Sequence, residues 1–146
     1  MTSTPAHSNP PRFEIRPIGR VESPLTDPAL APKQGDEGAP DAWLAFDERV
    51  AAGLDGVAPG DELILLTWLH RADRDVLSVH PRGDASRPPQ GVFGTRSPHR
   101  PNPIGLHRVT VLVVDGARVC VRDLEAVDGT PIVDVKPVLS QDVGAR

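Results

Sequence analysis

Turn signals recur along this chain at intervals of roughly ten residues, and the apolar runs between them are short and rich in Val, Leu, Ile and Thr, which points to strands. Pro59-Gly60-Asp61 precedes Glu62 to Leu69, a run dense in Leu, Ile, Thr and Trp that reads as a fully buried strand. Val109 to Val114 is a second strand, and Asp115-Gly116 is a two-residue hairpin turn into a third, Arg118 to Leu124. Asp128-Gly129 repeats the device before Pro131 to Val138. Upstream, Arg12 to Glu22 alternates partially through Phe13, Ile15, Ile18 and Val21 and stops at Ser23-Pro24, which predicts a first strand. Trp43 to Phe46 is a further short apolar run. The helical signal is confined to Asp47, a good N-cap, and Glu48 to Leu54 behind it, enough for one or two turns before Gly53 and Gly56. The expected class is all-β: a small single-domain barrel or sandwich with short helical turns and long proline-rich loops.

With 146 residues the chain fits one ordinary domain. Residues 1–11 hold nothing that could build a core and are expected to be a disordered tail, leaving 12–146 as the domain. Aromatic residues make up only 3% of the chain, so Val, Leu and Ile must fill its interior. The longest apolar run, Leu63 to Leu66, is far below the roughly 20 residues of a membrane helix. The N-terminus does not resemble a signal peptide, and a cytoplasmic protein without membrane contact is expected. Cys120 is the single cysteine, set in the alternating Arg118 to Arg122, and reads as a structural thiol more readily than a nucleophile. The histidines lack the spacing of a metal site, so none is expected, and no phosphate loop, dinucleotide fingerprint or nucleophile elbow is present. A net charge of −4 argues against a partner held mainly through phosphates. Arginines nevertheless concentrate between His70 and Arg108, so one face is expected to be locally basic.

Two stretches resist explanation as ordinary loop. Gly91 to Gly105 combines three prolines and three glycines with Arg96, Arg100, Asn102 and His99. Prolines reduce the entropy lost on binding, and arginine offers planar bidentate donors for a carboxylate or phosphate, so this segment is either preorganised for recognition or a stiff loop whose arginines pair internally. Asp123 to Lys136 presents several carboxylates at what reads as one hairpin. There Glu125 and Asp128 can accept ribose hydroxyls, or Asp128-Gly129 simply turns the chain while Asp134 pairs with Lys136 across solvent. His70-Arg71, at the end of the Glu62 strand, is a third candidate.

Four segments together resemble the TsaA-like family, which includes the TrmO-type tRNA methyltransferases: Ile18-Gly-Arg-Val-Glu-Ser-Pro24, Pro32-Lys-Gln34, Gly91-Val-Phe-Gly-Thr-Arg-Ser-Pro-His-Arg-Pro-Asn-Pro-Ile-Gly-Leu106, and Leu124-Glu-Ala-Val-Asp-Gly-Thr-Pro-Ile-Val-Asp-Val-Lys-Pro137. The last two are long and specific, and the resemblance spans about Ile15 to Leu139. It implies a small β-barrel that binds S-adenosylmethionine outside any Rossmann fold, as a homodimer with pockets near the interface. By similarity the cofactor is expected against Lys33, Gln34, Gly35, His70, Arg71, Arg96, Leu106, Arg122, Asp123, Leu124 and Glu125. The family's usual acceptor is N6 of threonylcarbamoyladenosine beside the anticodon of a tRNA. That implies a tRNA anticodon stem-loop as partner, with Arg100, Asn102, Asp128 and Lys136 as candidates for orienting the acceptor and no assigned base. His70-Arg71 stands where the family more often has His-Gln, and the alternatives are methylation of a small molecule or a non-catalytic S-adenosylmethionine-binding module.

Overall fold

The computed structural model describes residues 9–139. Most of the expected tail and the stretch 140–146 of the expected domain lie outside them. Among the described residues there are eight strands: β1 (Gly19–Glu22), β2 (Ala42–Phe46), β3 (Glu62–Trp68), β4 (Ser78–Val79), β5 (Gln90–Gly91), β6 (Ile104–Asp115), β7 (Arg118–Arg122) and β8 (Pro131–Pro137). Six close into a barrel in the order β1-β2-β7-β6-β3-β8, all neighbours antiparallel, with β8 returning to β1 through Gly19↔Ile132 and Arg20↔Pro131. Closure gives every barrel strand a neighbour on both sides over at least part of its length. Strands β4 and β5 form a separate two-stranded ribbon within the excursion between β3 and β6.

The barrel fills because alternate residues of each strand face inward. Ala42, Leu44 and Phe46 of β2, Leu63 and Leu65 of β3, Val109 and Val111 of β6, and Val119 and Val121 of β7 make one core with Val21, Leu124 and Ile132. Two bulges bend the wall: the register shifts between Val111 and Val113 against β7, and between Leu66 and Thr67 against β8.

Several sequence expectations shift. The first strand begins at Gly19, not Arg12; Pro17 has no N–H to give a ladder, and Phe13 is 88% exposed. Strand β3 is buried on one face only, at Leu63, Leu65 and Thr67; its run looks wholly apolar because Ile64, Leu66 and Trp68 face outward. Asp47 does cap Glu48–Leu54, accepting from the Arg49 N–H, but the turns are 3-10 and not α. Strand β6 begins at Ile104, five residues before the expected Val109, and the β6–β7 turn slides to Gly116-Ala117, with Asp115 already paired to Arg118 and Gly116 at φ 60°. Strands β7 and β8 are not a hairpin: β8 lies between β3 and β1. Cys120 is half-buried on β7, its thiol pKa pushed up by burial and then by the Asp41 charge.

Candidate active site

The site originates where the barrel's inward rows stop being apolar. Along β3 the row reads Leu63, Leu65, Thr67, and along β6 it reads Val111, Val109, His107, Gly105. Thr67 is fully buried and His107 is 4% exposed. Thr67 Oγ1 and His107 Nε2 lie 2.7 Å apart, and His107 Nδ1 bonds Glu125 Oε1. A Cβ at Gly105 would stand 2.5 Å from Thr67 Oγ1 and 2.7 Å from His107 Nε2, so glycine opposite Thr67 leaves the room this contact needs.

Pairing explains why a cleft opens beside this triad. Strand β7 ends at Arg122 opposite Thr110, so residues 104–109 of β6 are paired only to β3. Asp123, at φ 72°, turns the chain away; aspartate is among the few non-glycine residues that adopt this conformation readily. Residues 123–127 then run beside the exposed part of β6, and the first loop packs on them. Gly35 is the point of contact: a Cβ there would lie 1.7 Å from the Asp123 carbonyl oxygen and 2.9 Å from Glu125 Oε2.

The resulting cleft has a volume of about 940 Å³. Lys33, Gln34 and Gly35 from the first loop, His70 and Arg71 after β3, Arg96 and Arg100 from the proline-rich loop, Leu106 on β6, and Asp123 and Glu125 after β7 all line it. The structure thus gathers in one place residues from five separate segments. Arg122 and Leu124 are not in the lining: Arg122 points outward near Asp123 at 3.9 Å, and Leu124 is fully buried in the core. Three of the four candidates for orienting an acceptor lie elsewhere. Asn102 accepts from Arg74 at 2.9 Å, Asp128 accepts from the Ser23 N–H at 3.0 Å, and Lys136 pairs with Asp134 on β8 at 3.5 Å. Asp128 lies in a turn that ties β8's lead-in to the segment after β1.

Bonding within the cleft separates committed groups from available ones. Arg71 donates to the Thr26 carbonyl at 2.8 Å, and Arg100 donates to the carbonyls of Thr95 and Ser97 and stacks over Phe93. Arg108 and Glu62 pair at the cleft edge at 3.0 Å, holding the Glu62 carboxyl below its ordinary range and raising the Arg108 guanidinium. His99 also lines the cleft; its Nδ1 accepts the Asp73 N–H at 3.0 Å, so its neutral ring carries a proton on Nε2 and presents a donor, not a base. Among the described residues Lys33 and Arg96 make no side-chain hydrogen bond or ion pair. Both are exposed to the cleft and open to an anionic group.

Sequence reasoning missed His107 and Thr67. The signal was present as alternation: continuing the inward period of Val111 and Val109 by one more step places His107 beside Thr67. Among the described residues no three His, Cys, Asp or Glu side chains group to hold a metal, and no helix is long and apolar enough to cross a membrane.

Residues 20–142 match the family model for the tRNA-methyltransferase O N-terminal domain. An Archaeoglobus fulgidus protein named S-adenosyl-L-methionine-binding protein is 42% identical over 122 residues, covering 84% of this chain and 86% of its own length. A Methanothermobacter thermautotrophicus protein, named a probable S-adenosyl-L-methionine-binding protein, is 42% identical over 125 residues and covers 86% of this chain and 89% of its own. Another Archaeoglobus fulgidus protein with that probable name matches 87% of this chain but only 34% of its own length. Among solved structures, one of TrmO superposes with a TM-score of 0.72 at 26% identity and one of TrmO from Pseudomonas aeruginosa with 0.69 at 25%. Each covers 92% of this chain, which spans 62% and 60% of their respective lengths.

Proposed function

Because the chain belongs to the tRNA-methyltransferase O N-terminal domain family, we propose that its cleft binds S-adenosylmethionine and that it is an S-adenosylmethionine-dependent methyltransferase acting on N6 of threonylcarbamoyladenosine beside the anticodon of a tRNA. The observation that carries this reading is one cleft whose lining combines cations without a side-chain partner among the described residues, Lys33 and Arg96, with the carboxylates of Asp123 and Glu125 and apolar surface that includes Leu106. A ligand with an amino-acid carboxylate at one end and an adenosine at the other suits that arrangement, and the volume falls within the roughly 300–1,000 Å³ of small-molecule sites.

When bound, S-adenosylmethionine supplies a methyl group already activated on a sulfonium sulfur. The protein's part is then placement. Arg96 or Lys33 holds the carboxylate, Glu125 accepts ribose hydroxyls, and Gln34 with the backbone around Gly35 meets the base, while Leu106 covers its face. Arg100 and His99 line the same cleft from the proline-rich loop, and an acceptor base splayed from an RNA loop would be met by them there.

A homodimer belongs to the same reading. Outward-facing Ile64, Leu66 and Trp68 of β3 and Ile104 and Leu106 of β6 form an apolar strip beside the cleft. The Glu62–Arg108 and Asp134–Lys136 pairs flank it with both signs of charge, a composition suited to a two-fold axis.

Methyl transfer from labelled S-adenosylmethionine to tRNA with and without threonylcarbamoyladenosine tests the proposal, and labelling that depends on the modification is expected. Tight cofactor binding with no labelling of either tRNA would favour a small-molecule acceptor or a sensor. That second reading draws on the net charge of −4 and on the commitment of Arg74, Arg82 and Arg100 to intramolecular bonds.

A further inference from the structure

The geometry points to His107 as the positioning residue of the ribose subsite: locked by Thr67, it fixes the rotamer of Glu125 so that one carboxylate oxygen alone is presented to the ligand. This rests on the cleft being an S-adenosylmethionine site.

A carboxylate only accepts, so the His107 nitrogen facing Glu125 Oε1 must be the donor, Nδ1–H. In the neutral ring Nε2 then accepts, and the Thr67 hydroxyl donates to it over 2.7 Å. Polarity runs one way from the barrel interior to the cleft: Thr67 O–H to His107, His107 N–H to Glu125. Neither ring nitrogen is left to bind a ligand, and both residues are buried, so His107 acts through Glu125. The carboxylate's second oxygen, Oε2, makes no hydrogen bond among the described residues and lies on the side where Gly35 approaches. A glutamate with a free side chain would sample several rotamers in an open cleft; this one is anchored to a ring that is itself anchored to the core. Two glycines keep the arrangement possible, Gly105 by clearing space around Thr67 and His107, and Gly35 by clearing space in front of Oε2. A cis-diol spanning two acceptor lone pairs rewards such fixation more than any other part of the ligand, so discrimination between ribose and 2′-deoxyribose is the property His107 controls.

The test compares affinities for S-adenosylmethionine and its 2′-deoxyribose counterpart by calorimetry. Wild type is expected to prefer the ribose form by tenfold or more, and Glu125→Gln to lose most of that preference. His107→Phe, which keeps ring volume without a donor, is expected to bring the ratio to within about twofold, whereas His107→Asn, whose amide nitrogen falls near the position of Nδ1, retains most of it. Thr67→Val, conservative in shape, is expected to lower the ratio about threefold and decides the matter if His107→Phe does not fold. An unchanged ratio in a folded His107→Phe or Thr67→Val protein overturns the positioning role, since a purely structural part would weaken both ligands alike. Equal binding of the two ligands by wild type overturns Glu125 as the ribose acceptor. Failure of wild type to bind S-adenosylmethionine at all overturns instead the reading on which the inference rests.

Discussion

Gly35 sits against Asp123 so closely that a methyl group on it would penetrate the Asp123 carbonyl, at 1.7 Å. This contact docks the first loop onto the turn that replaces β7 beside residues 104–109 of β6, and both segments line the cleft. Gly35→Ala is therefore expected to displace the loop and weaken S-adenosylmethionine binding by tenfold or more. The loop contributes no residue to the buried core, so the melting temperature is expected to stay within about 3 °C of wild type, a shift of about 1 kcal/mol or less. Calorimetric titration alongside thermal melting checks both parts; an unchanged affinity would show that the loop is not a wall of the binding site.

Arg96 differs from its neighbour Arg100 in having no side-chain hydrogen bond or ion pair among the described residues. Arg100 spends its donors on the carbonyls of Thr95 and Ser97, stiffening the loop, while Arg96 lines the cleft uncommitted. Arg96→Ala is expected to weaken cofactor binding by about 1.5–3 kcal/mol, the range for losing a charge-assisted hydrogen bond. Arg100→Ala is expected to act differently, loosening the loop and lowering stability as well as acceptor use. Equal affinities for wild type and Arg96→Ala would remove Arg96 from the site.

What the sequence disclosed and what it hid follow from the range of the physics involved. The presence of β3 and the Asp47 cap are local and were legible, though not that β3 buries one face only, and the residues of the proline-rich segment stood out because their composition serves no loop. The start of β6 is hidden by the same segment: Pro101 and Pro103 suggest loop, Ile104 to Leu106 read with it, and a strand starting at Val109 leaves His107 off the strand that places it beside Thr67. Pairing of β8 with β3 and β1 is a long-range choice that an Asp-Gly turn cannot announce, and it moved Asp128 and Lys136 away from the cleft that a β7–β8 hairpin would have placed them near. The role of Gly35 depends on a contact 88 residues distant in sequence, from 35 to 123, and no local signal encodes it.

Leu65 tests whether the barrel core is shared between stability and site. It is fully buried and pairs directly across β3–β6 with His107. Leu65→Ala is expected to cost about 2–5 kcal/mol, through lost burial and the cavity left behind. Melting temperature should fall by more than about 5 °C for a domain of this size. The ribose-to-deoxyribose ratio should change little if the mutant remains folded, because Thr67 and Glu125 still hold the His107 ring from both sides. Loss of that ratio together with modest destabilisation would mean that core packing, and not the two hydrogen bonds, positions the ring.

Acid sensitivity can be assigned at the Glu62–Arg108 pair. The Arg108 hydrogen bond, and then its charge, lower the Glu62 carboxyl below its ordinary value of 4.5. A group whose pKa is depressed on folding contributes stability that is fully present above the ordinary value and is lost as pH falls through the depressed one. The melting temperature of wild type should therefore exceed that of Glu62→Gln at pH 7 by a small margin, and the margin should shrink below 4.5 until it disappears. Both side chains are about half exposed, so salt near 1 M, with a screening length of about 3 Å, should abolish the difference at neutral pH as well. Melting curves of the two proteins at pH 7 and in strong acid, each at low and high salt, measure this. A margin that persists unchanged in acid would mean that Glu62 contributes through packing and not through its charge.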